Sequence, residues 1–210
     1  IESLEQAISL DGADGEAHQA LGGIWEAEAE GDASQLEEAL TAYREAADLA
    51  PGTVANRRAC GRVLRKLGRF EEAEEVLREA LSADPEDAES YYELGLIREA
   101  QQRYAAACSH YEDAIALSPE RPHYRLRLGT VWRKIGLRER MLQQAGVTGK
   151  AVGADDTPWR EGSRIEFCDE GIASLQTAEE LGEDSVALHA ELGTLLLLRG
   201  RLDEALPRLR

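Results

Sequence analysis

Between Ala88 and Pro119 the large and small apolar residues fall at helical steps: Tyr91, Leu94 and Gly95 in one segment, then Ala107, Tyr111 and Ala114 in the next. Steps of three and four place each set on one face of an α-helix. The pattern predicts two helices joined by a tight turn. Pro119 closes the pair, because proline cannot continue a helix and pushes its predecessor out of helical geometry. The arrangement recurs along the chain with a constant period of 34, which separates Pro51, Pro85 and Pro119, then Gly61, Gly95 and Gly129, and also Ala73 and Ala107. Periods in this range are the signature of stacked helical hairpins.

The phrase AIALSPE at Ala114 has counterparts at Ala7, Ala46, Ala80 and Ala178, and the successive steps are 39, 34, 34 and 64. From each of these alanines to the glycine of the next unit the step is always 15, to Gly22, Gly61, Gly95, Gly129 and Gly193. The junction between units is constant, so extra length must lie between the two helices of a hairpin. The expected organisation is one solenoid over residues 1–210. Its pieces are a lone second helix (1–14), a unit with five extra residues (15–53), two regular units (54–87 and 88–121), a unit with an insertion at about 137–166 (122–185), and a truncated unit (186–210). The five extra residues fall around Gly31 to Ser34, where Ser34 and Glu37 have capping-box spacing for restarting a helix. The long insertion begins RERMLQQA, which extends or adds a helix, and continues with the Gly, Asp, Thr and Pro content of a loop. Beginning and stopping inside a hairpin leaves apolar faces unpaired, so the parent protein is expected to continue on both sides.

Small residues let two helices approach closely while large ones fill the space on either side. That alternation of size, with aromatic, Leu, Gly, Ala and Pro in phase, resembles the tetratricopeptide repeat family over nearly the whole chain. Trp25 and Trp132 occupy the second aromatic place of the first helix, and His18 and His189 the first; Arg98 and Arg125 depart from the pattern. The resemblance implies an all-α, right-handed solenoid of antiparallel hairpins whose first helices line a concave groove. Chaperone-binding members grip a carboxylate with Lys, Asn and Arg, but the matching places here hold Gln19, Gly23, Ala59, Glu89 and Glu93, so that clamp is absent.

Composition narrows the function. Apolar residues make up 43% of the chain, enough for a sizeable core, and no apolar run is long enough to cross a bilayer. A net charge of −17 argues against general nucleic-acid affinity. Cys60, Cys108 and Cys168 lack CxxC spacing and read as reduced helix-packing residues, which favours a cytoplasmic setting. Of 24 basic residues only three are lysine, a bias that points to a GC-rich bacterial genome.

No catalytic set emerges. GVTGKA at Gly146 has Gln144 and Ala151 where a P-loop needs Gly and Ser or Thr; the four histidines show no metal-ligand spacing; Cys168, beside Asp169, has no activating base in its sequence vicinity. The expectation is no cofactor, no metal and no catalysis within these residues. The groove places implied by the family hold Arg58, Arg62, Arg65 and Lys66 in the second unit, Glu89, Tyr92, Glu93 and Glu99 in the third, and His123, Arg127, Arg133 and Lys134 in the fourth. A basic, acidic, basic striping follows. In one reading adjacent stripes neutralise each other as exposed ion pairs of small worth; in the other, arginine forks receive carboxylates or phosphates of a ligand. Trp159, in the insertion and outside every repeat place, is a further candidate for partner contact or for anchoring its own loop. The expected role is a scaffold or adaptor that holds a peptide or partner protein with an acidic segment. The alternative is a recognition arm of a larger enzyme whose catalytic domain lies elsewhere.

Overall fold

The computed structural model describes residues 12–144 and 164–209, together with Leu4, Gln6, Ile8 and Ser9. Residues 12–144 and 164–209 form ten helices and no strand: α1 (Gly15–Glu28), α2 (Ala33–Leu49), α3 (Val54–Lys66), α4 (Phe70–Ala83), α5 (Ala88–Ala100), α6 (Tyr104–Leu117), α7 (Pro122–Gln144), α8 (Arg164–Glu180), α9 (Val186–Arg199) and α10 (Leu202–Arg208); Leu4, Gln6, Ile8 and Ser9 are helical as well. The fold is all-α and of solenoid type, built from helical hairpins. The chain divides into two compact units, Ile1–Glu93 and Leu94–Arg210, with α5 spanning the division.

In the first unit α1 pairs with α2, α2 packs on α3, and α3 pairs with α4. Asp14 caps α1, its Oδ1 accepting from the backbone N–H of Glu16 at 3.1 Å and of Ala17 at 3.0 Å. Replacing Asp14 with alanine should cost about 1 kcal/mol, seen as a lower midpoint in a thermal melt followed by circular dichroism. Helix α2 starts earlier than the Ser34 and Glu37 spacing predicts. Its cap is Asp32, whose Oδ1 accepts from Ser34 N–H at 2.9 Å, so the nearer carboxylate takes the role expected of the serine.

Each hairpin closes where a glycine of the first helix receives a large side chain of the second. A Cβ built on Gly22 would lie 2.9 Å from Tyr43 Cδ1, on Gly61 2.6 Å from Leu77 Cγ, and on Gly129 2.5 Å from Leu175 Cγ. The same contact therefore forms in a regular unit, in the unit with the short extra loop and in the unit with the long insertion. The hairpin geometry is kept while its connection grows.

In the second unit α6 packs on α7, α7 on α8 and α9, and α9 on both α8 and α10. Cys168, Ile172, Leu175, Leu192, Leu195 and Ala205 form its buried core, and Trp132 stacks on Phe167 with ring centroids 5.6 Å apart. The turn after α3 holds Gly68 at φ +76°, and the equivalent turn after α5 holds Gln102 at φ +60°, which costs a non-glycine residue about 1 to 2 kcal/mol. The equivalent Gly136 stays helical instead, so α7 runs on through the RERMLQQ segment to Gln144. All three cysteines are buried thiols, and burial pushes the Cys60 thiol up to about 11.

Candidate functional site

The odd-numbered helices carry most of the charged residues singled out by the sequence, and the structure pairs these side chains across neighbouring helices. In the first unit Glu26 of α1 is the centre of one group. Its carboxylate accepts from Arg62 Nε at 2.7 Å and Arg62 Nη2 at 2.6 Å, a two-pronged arrangement, and from Lys66 Nζ at 2.8 Å. Tyr43 of α2 also donates its hydroxyl to Glu26, at 3.1 Å. Burial alone pushes the Glu26 carboxyl up. The hydrogen bonds and charges of Arg62 and Lys66 outweigh this and bring it down to about 2. The same site holds the Tyr43 hydroxyl up at about 12, through burial first and the Glu26 charge second.

Two further pairs join α3 to α5 within this unit. Arg65 Nε donates to Glu93 at 2.8 Å, and Arg58 Nη1 donates to Asp87, the residue before α5. Glu89 and Tyr92 lie on the same helix and are half-buried. An open cleft of about 410 Å³ runs between α1 and α3, walled by Gln19, Ala20 and Gly23 on one side and Arg58, Ala59 and Arg62 on the other. Tyr43 and Glu16 also border it.

The second unit repeats the design. Lys134 Nζ on α7 donates to Glu99 on α5 at 2.6 Å, and Tyr111 of α6 donates to the other oxygen of Glu99 at 2.7 Å. Arg133 on α7 pairs with Glu191 on α9, one contact being Nη2 to Oε1 at 3.1 Å. His123 packs edge-on against Tyr124 with ring centroids 4.4 Å apart, and Arg127 is exposed. Trp159 lies outside the described residues.

Of the two readings of the stripes, the geometry matches mutual neutralisation, with one difference. The pairs are half-buried rather than exposed: Glu26, Glu93 and Glu99 side chains keep only 7 to 9% of their surface. Three of the acidic partners, Glu26, Asp87 and Glu191, escaped the sequence reading. Glu26 stands at the same place in its unit as Arg65, Glu99 and Arg133 in theirs, and Glu191 at the same place as Glu93 and Arg127. The sign alternates at the first of these places from Glu26 to Arg133, and at the second from Glu93 to Glu191.

Comparison with known proteins matches this geometry. Residues 58–122 fit the sequence model of the family described as Tetratricopeptide repeat. Residues 58–122 carry tetratricopeptide repeats. Solved structures of the same fold include the MamA protein, at 18% identity and a TM-score of 0.64 over 94% of this chain and 88% of that one. PilF of Pseudomonas aeruginosa superposes with a TM-score of 0.69 at 18% identity, over 98% and 78% of the two chains. YrrB, described as a TPR protein with an unusual peptide-binding site, gives 0.59 at 16% identity over 98% and 88%. No curated protein matches this chain in sequence. Among its described residues no helix is long and apolar enough to cross a membrane, and no three His, Cys, Asp or Glu side chains converge as metal ligands.

Proposed function

We propose that this tetratricopeptide repeat chain is a non-catalytic protein-interaction scaffold that receives a peptide or partner protein on the face formed by its first helices. The observation that carries the reading is the set of cross-helix ion pairs, Glu26 with Arg62 and Lys66, and Arg65 with Glu93, which fix a polar surface in the first unit around an open cleft. Side chains already held in place lose little further entropy when a partner arrives, which favours a preformed docking surface. The peptide-binding site named for YrrB is consistent with the same use of the fold.

In this reading Arg58, Arg62, Glu89 and Tyr92 are the partner contacts of the first unit, and His123 and Arg127 those of the second, each considered by itself, while Arg65, Lys66, Glu93, Glu99, Arg133 and Lys134 chiefly hold the helices in register. A photo-crosslinking amino acid at exposed Gln19 should capture a partner from the source cell, and the same group at Glu75, on the exposed side of α4, should not. Capture from Glu75 alone would overturn the assignment of the face.

A further inference from the structure

Gly22 and Gly23 sit side by side in the middle of α1, where glycine is a poorer helix former than alanine. Packing explains only the first. A Cβ on Gly22 would meet the Tyr43 ring at 2.9 Å, whereas one on Gly23 would meet only the Tyr43 hydroxyl, at an ordinary 3.6 Å. Gly23 is nevertheless on the wall of the cleft between α1 and α3, beside Ala20 and opposite Ala59. Its missing side chain keeps that cleft open.

Directly across stand Arg58 and Arg62, one turn apart on α3 and so about 5 to 6 Å from each other. A guanidinium has five N–H donors. Arg62 uses Nε and Nη2 on Glu26 and also interacts with the Tyr43 hydroxyl, and Arg58 uses Nη1 on Asp87, so these contacts do not exhaust the five donors of either guanidinium. Charge also points inward. Arg62 and Lys66 share the single carboxylate of Glu26, so this group carries one uncompensated positive charge inside a chain of net charge −17. Glu16 borders the same cleft, but seven residues before Gly23, about 10 Å along α1.

We infer that the cleft between α1 and α3 is a subsite for an acidic side chain, aspartate or glutamate, of an extended peptide. The carboxylate takes N–H donors from Arg58 and Arg62, which stay paired with Asp87 and Glu26, and the peptide backbone passes over Gly23, where a side chain would block it. The inference rests on the proposed use of the first-helix face and adds the chemistry of the ligand.

The test is selection of a random peptide library displayed on phage against the intact chain. Enriched peptides should carry Asp or Glu, and changing that residue to Asn or Gln in the synthetic peptide should weaken binding by about tenfold or more. Gly23→Leu should abolish binding with the helical circular dichroism spectrum retained. Gly23→Ala, which fits the space and favours the helix, should raise the melting temperature while weakening binding. Peptides enriched without acidic residues, or bound equally by the Gly23 variants, would overturn the subsite and leave the scaffold reading intact. Failure to enrich any peptide, together with no crosslink from Gln19, would overturn both.

Discussion

Gly95→Leu should lower stability by about 3 kcal/mol or more, a fall in Tm of roughly 6 to 12 °C for a chain of this size. Gly95 of α5 lies under the ring of Tyr111 of α6, and a single added carbon would come within 2.6 Å of Tyr111 Cδ1 and 3.0 Å of Cζ. The ring has little room to retreat. Tyr111 is fully buried, and its hydroxyl is tied at 2.7 Å to Glu99, which in turn holds Lys134. Displacing the ring therefore adds the cost of a broken buried hydrogen bond to the cost of overpacking. The better helix propensity of leucine offsets only about 0.8 kcal/mol of this. Gly52 provides the control, since a Cβ there meets nothing within 4 Å. A circular dichroism melt in which Gly95→Leu behaves like Gly52→Ala would contradict the close approach of α5 and α6.

The fold was legible because each hairpin is specified locally and then repeated. Gly61 with Leu77 states the same packing rule as Gly95 with Tyr111, and the rule survives an insertion because the paired residues still meet at Gly129 and Leu175. Local competition was less legible. The Ser34 and Glu37 spacing marked one capping site, and the structure instead caps α2 with Asp32, a carboxylate one residue before the helix that accepts from Ser34 N–H. The signs of the charges on the first helices could be read from register, but not their pairing. Whether Arg62 meets the solvent or Glu26 depends on how far one helix is set along its neighbour, and the repeat period does not contain that offset. The cleft was invisible for a related reason: Gly23 looks like Gly22 in the sequence, and only the position of Tyr43 separates a packing glycine from one that opens space.

Glu26→Gln should destabilise the protein at neutral pH and should do so in a way that depends on acid. The substitution keeps the size of the side chain but leaves Arg62 and Lys66 without a compensating charge. Loss of one partner of a fully buried pair costs about 3 to 5 kcal/mol. Here the Arg62 and Lys66 side chains keep 35% and 38% of their surface, so water screens part of the loss. The expected cost is therefore smaller, about 1 to 2 kcal/mol. The sign of the pH dependence follows from the lowered carboxyl. Above its ordinary value of 4.5 the charged form is favoured in the folded state and the full stabilisation is present; as pH falls toward about 2 the unfolded chain gains the proton first and the advantage disappears. Urea unfolding of the two proteins should thus differ by a constant amount above about pH 5 and converge between 4.5 and 2. At the other end of the scale the raised Tyr43 hydroxyl makes the parent protein lose stability from pH 10 toward 12, a limb that Tyr43→Phe should remove. A difference between parent and Glu26→Gln that stays constant down to about pH 2 would show that Glu26 acts through packing and not through its charge. The ion pairs would then not be what holds α1 against α3, and the open cleft between those helices would need another cause.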